Sequence, residues 1–332
     1  MKIAIVILNW NGKKFLEQFL PLVIKHSAGA EIYVADNAST DGSVECLVTH
    51  FPNIKIIKNP KNEGFCRGYN LALKQVAADY YVLLNSDVEV SENWLLPAID
   101  YLEKNPSVAA CQPKIKSYSN REYFEYAGAA GGFLDADGYP FCRGRLFETL
   151  EKDENQYEQI TEIGWASGAC LFVRAKVFWQ LDGLDEDFFA HMEEIDFCWR
   201  VWNAGYKIMY FPQSVIYHVG GGTLPKNSAR KTFLNFRNSL YLLHKNYPGK
   251  SMALKIFKRL ILDGIAGAKF LVQGYPKDTL AVIKAHFAYY RDIPALQSKR
   301  KGLKHNSTKV LMPYSIVWKY FIEGKKKFTS LP

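Results

Sequence analysis

Residues 80–90 read YYVLLNSDVEV, and the way this stretch ends decides the fold. Tyr80 to Leu84 is an unbroken aromatic and aliphatic run bounded by polar residues, which predicts a strand buried on both faces. Asn85, Ser86 and Asp87 follow with no turn dipeptide between them. Open α/β sheets bind ligands at the edge where buried parallel strands release the chain, so Asp87 is a candidate metal or ligand carboxylate. An Asp in this position also serves to cap a following turn or helix.

Upstream, Ile3 to Leu8 (IAIVIL) predicts another buried strand, closed by the turn residues Asn9-Trp10-Asn11-Gly12. Lys14 to His26 then carries Phe15, Leu16, Phe19, Leu20 and Val23 at helical spacing. Ile32 to Ala35 is a second strand running into the polar segment Asp36 to Ser43. Ile54 to Ile57 is a third, followed by the loop Asn59 to Gly64 and a helix over Gly68 to Ala77. Strand, helix and strand in this order imply right-handed βαβ units, hence an α/β fold with a mostly parallel sheet flanked by helices. Neither GxGxxG nor GxxxxGK followed by Ser or Thr occurs, so a glycine-rich phosphate cradle is not the binding device. Three strand ends instead deliver Asn9 and Asn11, then Asp36, then Asp87. An acid at the second strand end suits ribose hydroxyls or a base N–H. Taken alone, Asp36 reads more simply as a turn-forming residue.

Downstream, Gln112 to Ile163 is glycine-rich and irregular, a loop or hairpin over a site. Order returns with a strand over Ala169 to Val173 and a helix from about Glu193 to Asn203, stopped by Gly205. On that helix Glu194 shares a face with Phe197, Cys198 and Val201, whereas Glu193, Asp196 and Arg200 lie on another. A carboxylate at the edge of a core is a general-base candidate. Glu193 fits better as a first-turn acid complementing the helix dipole. Lys207 to Phe211 and Ser214 to Val219 predict two short strands. His218, followed by Gly220-Gly221-Gly222, is a ligand candidate against the commoner structural role of a strand histidine.

The chain has 332 residues, 48% of them hydrophobic, enough for one large domain or a domain with an appendage. Six cysteines without a CxxC pair, and an N-terminus without a signal-peptide pattern, predict free thiols in a reducing cytoplasm. No apolar run is long enough for a membrane-spanning helix. The net charge of +9 is divided: from Lys226 onward 22 Lys and Arg face four acids, a net of +18, and the first 225 residues carry −9. Such a basic segment suits nucleic acid, an anionic membrane or an acidic protein.

With these residues placed, the chain resembles family 2 glycosyltransferases of the GT-A fold, most closely their rhamnosyltransferase-like branch. The matching text is VILNWNG (Val6 to Gly12), VADNASTDGS (Val34 to Ser43), NEGFCRGYN (Asn62 to Asn70), LLNSDVEV (Leu83 to Val90), SGACLFVRAKVF (Ser167 to Phe178), LDEDFF (Leu184 to Phe189), MEEIDFCWR (Met192 to Arg200) and the His218 to Gly222 stretch. The resemblance implies a catalytic domain over residues 1–225, its nucleotide-sugar half to about 112 and its acceptor half from 113, and a basic helical region over 226–332. It assigns nucleotide-sugar binding to Asn9, Asn11, Asp36, Asn62, Gly64, Asn70 and Asn85. Asp87 and His218 become ligands of Mg²⁺ or Mn²⁺, and Glu193-Glu194 the acid pair whose second member is the base. Two departures stand out: Asn85 replaces the first acid of the family's DxD-type motif, and Glu194 replaces Asp.

Displacing a nucleoside diphosphate needs its developing charge neutralised and a base for the acceptor hydroxyl, as a metal site and one carboxylate supply. The expected function is therefore an inverting transfer of a sugar from a nucleotide donor to a hydroxyl acceptor; the resemblance alone implies dTDP-rhamnose or a UDP-sugar as donor and a glycan or lipid-linked acceptor in cell-surface polysaccharide synthesis. A sugar-nucleotide pyrophosphorylase would want a glycine-rich first loop, which NWNG is not. The Asn85 departure leaves a catalytically silent carbohydrate-binding or scaffold protein as the alternative. In the C-terminal region, Leu254, Phe257, Ile261, Ile265 and Ala268 form one helical stripe with Lys255, Lys258 and Arg259 on its flank. With the basic clusters Lys299-Arg300-Lys301 and Lys325-Lys326-Lys327, the pattern predicts peripheral attachment to an anionic cytoplasmic membrane face. The stripe packing on the catalytic core, or on a second copy of the chain, is the alternative. Nucleic acid is not expected, because no base-reading module accompanies the charge.

Overall fold

The computed structural model describes residues 1–220, 228–249, 251–305 and 310–332, which leaves Gly221, Gly222 and the expected boundary at 225/226 outside the described residues. In chain order the front half forms β1 (Ile3–Asn9), α1 (Lys13–His26), β2 (Ala30–Asp36), α2 (Ser43–His50), β3 (Lys55–Lys58), α3 (Gly64–Leu73), β4 (Tyr80–Asn85), β5 (Val88–Val90), α4 (Leu96–Lys104) and β6 (Val108–Ser117). Four short strands follow, β7 (Gly132–Leu134), β8 (Pro140–Cys142), β9 (Arg145–Leu146) and β10 (Thr149–Leu150), then β11 (Thr161–Glu162), β12 (Cys170–Arg174), α5 (Ala175–Gln180), α6 (Glu193–Asn203) and β13 (Lys207–His218). Helices α7 (Ala229–Asn246), α8 (Met252–Val272), α9 (Pro276–Lys301) and α10 (Ile316–Phe321) close the chain.

The large sheet has the strand order β11-β13-β6-β12-β4-β1-β2-β3, with β5 added on β13. β1, β2, β3 and β4 are parallel, and so are β6 and β13. β12 runs antiparallel between β4 and β6. The period-2 alternation of a strand explains the layers. Ile3, Ile5 and Ile7 of β1 point with Tyr80, Val82 and Leu84 of β4 into a core covered by α1, α2 and α4. Ala4 and Val6 point with Tyr81 and Leu83 into the other core, covered by α3, α5, α6 and α7.

Several expectations are revised. Helices α2 and α4 were not foreseen. α3 begins at Gly64, not Gly68, because the Phe189 carbonyl accepts the N–H groups of Phe65 and Cys66 that open the helix. The expected strands at 207–211 and 214–219 are one strand, β13, whose pairing to β6 shifts register between Phe211 and Val215. Pro212 falls in that irregularity, where a sheet tolerates proline. The irregular middle folds as β6 and an antiparallel meander of order β10-β9-β8-β7. All six cysteines are buried and free.

The C-terminal region does not hang from the core; it completes it. Leu240, Leu242 and Leu243 of α7, with Tyr289, Leu296 and Ile316, belong to the same hydrophobic cluster as β4 and α6. Burying each leucine contributes about 1.5–3 kcal/mol, so three rival the whole net stability of a typical domain. The region's charge is also partly consumed by the front half. Lys245 and Lys299 pair with Asp185, and Lys255 and Lys258 pair with Asp137 at 3.3 and 2.7 Å. Lys255 and Arg259 therefore turn inward while the exposed Lys258 reaches Asp137 from the surface, and packing explains part of the +18. The stripe Leu254, Phe257, Ile261 and Ile265 does not pack on the core, since its residues are 51–68% exposed.

Candidate functional site

Strand register assembles the site. Asn9 at the end of β1 lies opposite Asp36 at the end of β2, and Asn85 at the end of β4 lies opposite Leu8. β5 turns back and pairs with β13 so that Val88 faces His218. Asn85, Asp87 and His218 thus meet at the carboxyl edge of the sheet, next to the Asn9–Asp36 pair. The Nδ2 of Asn9 donates to Asp36 Oδ1 and Ser39 Oγ, each at 3.1 Å, while Asn9 Oδ1 is buried without a hydrogen-bond partner among the described residues. Asp36 Oδ2 accepts the backbone N–H of Ser39, so this acid does shape its own turn. Asn11 holds the same loop through the N–H of Thr40 at 2.7 Å.

Asp87 and His218 are both buried, with His218 Nε2 3.2 Å from Asp87 Oδ1. Glu125, which the sequence did not flag, closes on the other ring nitrogen at 3.1 Å from Nδ1. A Cβ on Gly220 would come within 2.7 Å of Glu125 Oε1, so glycine leaves that carboxylate room. Burial alone would lower the imidazole's pKa, but Glu125 and then Asp87 push it up to about 10. Burial raises the Asp87 carboxyl, and the neighbouring imidazole more than offsets that, leaving it below its ordinary value. Among the described residues no three His, Cys, Asp or Glu side chains form a ready cation cage. Asp87 suits a hard divalent ion of the kind that takes one or two protein ligands and completes its shell with phosphate oxygens, and His218 could join it only by giving up its Nε2 proton to make room for the ion.

The acid pair flanks the same edge. The Asn85 N–H donates to the Ala169 carbonyl at 3.0 Å, and a Cβ on the adjacent Gly168 would lie 3.8 Å from Glu194 Cβ. Glu193 Oε2 and Glu194 Oε2 are both buried without a hydrogen-bond partner among the described residues. Burial pushes Glu194 up to about 7, and burial with the neighbouring Glu194 charge holds Glu193 well above the usual carboxylate range. The expected polar face of α6 is a correction: Glu193 is 4% exposed and Asp196 fully buried. The reason is α7, whose Lys245 and Asn246 each reach Asp196 Oδ1 at 2.8 Å. Glu194 is the less enclosed of the two glutamates. Ahead of the pair, Phe189, His191 and Met192 all take positive φ (62°, 68° and 71°). Each such non-glycine residue costs on the order of 1–3 kcal/mol and persists only where its surroundings over-determine it.

Three expected nucleotide-side residues frame this segment. Asn62 Oδ1 accepts the Gly64 N–H at 3.0 Å, and Gly64, at φ +74°, has no room for a Cβ against the Phe189 ring 2.7 Å away. Asn70 donates to the Leu184 carbonyl at 2.8 Å and to Glu186 Oε1 at 3.2 Å and accepts the Leu184 N–H at 3.1 Å, so it ties α3 to the turn before the acid pair. Sequence reasoning missed Glu125 because nothing near it in the chain marks it. The one available signal was an acid inside the segment expected to shape the pocket.

The profile described as Glycosyl transferase family 2 matches residues 4–182. An N-acetylglucosaminyl-diphospho-decaprenol L-rhamnosyltransferase of Mycobacterium tuberculosis is 24% identical over 262 residues, 74% of this chain and 85% of that protein. Among solved structures, GalNAc-transferase crystals with UDP, GalNAc and Mn²⁺ superpose with a TM-score of 0.61 at 16% identity, covering 98% of this chain and 57% of theirs. S. aureus TarS 1-349 in complex with UDP-GlcNAc gives 0.55 at 16% identity, covering 91% of each chain. These structural likenesses establish the GT-A fold.

Proposed function

The chain belongs to glycosyl transferase family 2 and is a glycosyltransferase, and we propose that it inverts the anomeric carbon of a nucleotide-bound sugar, dTDP-rhamnose or a UDP-sugar, as it passes that sugar to a hydroxyl of a lipid-linked glycan in cell-surface polysaccharide synthesis. The observation that carries the reading is the meeting, at one sheet edge, of the Asp87–His218 pair and the acids Glu193 and Glu194, each with a buried Oε2 that has no hydrogen-bond partner among the described residues. Asn9, Asn11 and Asp36 line the nucleoside side, and Asn85 sits 3.4 Å from His218 Nε2 within reach of the diphosphate. Asp87 and His218 would hold a divalent ion such as Mg²⁺ or Mn²⁺, which when bound would supply positive charge against the departing diphosphate. Glu194, raised to about 7, takes the proton of the acceptor hydroxyl near neutral pH. The hydroxyl oxygen bonds to the anomeric carbon from the face opposite the leaving oxygen, whose bond breaks, and the configuration inverts. The decaprenol-linked acceptor named for the mycobacterial relative supports the lipid-linked choice.

Membrane attachment belongs to the same reading. Among the described residues no helix is long and apolar enough to cross a membrane. Leu254, Phe257, Ile261 and Ile265 of α8, with Ile283 and Phe287 of α9, are exposed apolar side chains accompanied by exposed Lys269, Lys277 and Lys284. That composition suits the headgroup boundary of an anionic leaflet on the cytoplasmic face; a second copy of the chain is the other occupant. The reaction is tested by nucleoside diphosphate release from a series of nucleotide sugars with Mn²⁺. Metal-dependent release supports the reading, and no release and no thermal shift with any donor overturns it.

A further inference from the structure

Four consecutive carbonyls lead into the acid pair, and each is held from outside its own segment. Phe189 O accepts the N–H groups of Phe65 and Cys66 at 2.9 and 3.3 Å. The other three converge on one side chain of α7: Asn238 Nδ2 lies 2.9 Å from Phe188 O, 2.9 Å from Ala190 O and 2.7 Å from His191 O. Asn238 is fully buried. Its Oδ1 accepts from Arg237 Nε at 2.9 Å, which fixes the amide's orientation, and Arg237 itself donates to Asp187 O and Phe188 O. The segment it grips is neither helix nor strand where it carries the positive φ values, so secondary structure does not satisfy its carbonyls.

We propose that Asn238 is a positioning residue for the transfer: it clamps the segment 188–191 and thereby fixes where Met192 ends and the Glu193–Glu194 pair begins. The inference rests on the reading of Glu194 as the base. A primary amide suits the task because it brings donors to carbonyls while its own oxygen is neutral and can be oriented by Arg237. An alanine would take this donor from the Ala190 and His191 carbonyls, leaving Phe188 O to Arg237 and the Ala190 N–H, and would release the segment from α7. The C-terminal region is then part of the catalytic apparatus.

The test uses the full chain carrying Asn238→Ala, with Arg237→Ala, half-buried and less demanding of the fold, as the second variant. Leu102→Ala in α4, in the opposite hydrophobic layer, is the stability control. With dTDP-rhamnose or the UDP-sugar that proves active, and Mn²⁺, kcat is expected to fall about 10- to 100-fold with donor KM changed by less than about threefold, as for a misplaced catalytic group. Amide hydrogen exchange over residues 186–194 is expected to accelerate about tenfold or more in both variants and to stay unchanged in Leu102→Ala. Wild-type kcat in Asn238→Ala, unchanged exchange over 186–194, or an equal kcat loss in Leu102→Ala overturns the proposal. A wild-type chain inactive with every donor would overturn the reaction instead, and the exchange measurement would still decide the clamp.

Discussion

Replacing Glu194 by Gln should make this enzyme more stable and nearly inactive, and the two effects have one cause. The Glu194 carboxyl is pushed up from 4.5 to about 7 by burial, and its Oε2 has no hydrogen-bond partner among the described residues. At about 1.4 kcal/mol per pH unit, that interval sets a ceiling of roughly 3 kcal/mol on what the charged form costs the fold. Glu194 keeps some solvent contact, so about 1–3 kcal/mol is the working range. The folded chain holds this proton more tightly than the unfolded one. The contribution to stability is therefore intact below pH 4.5 and lost as the pH rises through about 7. Glutamine keeps the shape without the charge and also relieves Glu193 beside it. At pH 8 the variant should melt a few degrees higher, at roughly 2 °C per kcal/mol, while kcat falls about 10²- to 10⁴-fold. The gain should shrink as the pH is lowered from 8 toward 4.5. Scanning calorimetry across that range, with turnover at pH 8, checks both halves. A lower melting temperature at pH 8, a pH-independent gain or near-wild-type turnover would refute the reasoning.

Asp87→Asn should weaken Mn²⁺-dependent binding of the nucleotide sugar, measured calorimetrically, by at least about tenfold, and Glu125→Gln, which acts through His218, should weaken it by about 10- to 100-fold; unchanged affinity in Asp87→Asn removes the metal assignment. Lys245→Met removes the cation that Asp185 and Asp196 share, leaving Lys299 on Asp185 and Arg200 on Asp196, and should cost about 1.5–3 kcal/mol in urea unfolding. Both acids sit below their ordinary value of 3.8 despite burial, chiefly through Lys245, so the stability that this lysine supports is present above pH 3.8 and lost as the pH falls through their depressed values. A pH 7 stability equal to wild type would show the ion pairs to be inert. Sedimentation with anionic vesicles at low salt should lose the double variant Phe257→Ser, Ile261→Ser while retaining wild type. A full-length surface variant is the right comparison, because truncation near residue 226 would remove α7 from the core. Equal, negligible binding of both would leave the apolar face to a second copy of the chain.

The strand ends were legible in the sequence, because a buried strand writes itself locally. IAIVIL and YYVLL are each too short and too apolar for anything else, and the polar residue that terminates each run lands at the sheet edge. The acid pair was legible for a similar reason, as two carboxylates opening a periodic helix after LDEDFF. Tertiary structure alone decided which side of α6 is covered, where Asn70 is spent, and how far the +18 is neutralised within the chain. It alone brought Glu125 to His218 and Asn238 to the loop ahead of Glu193. Periodicity tells each residue which way it faces but not what will face it. The partner of a buried polar group comes from a distant segment, and its identity is fixed only when the cores on both sides of the sheet have closed.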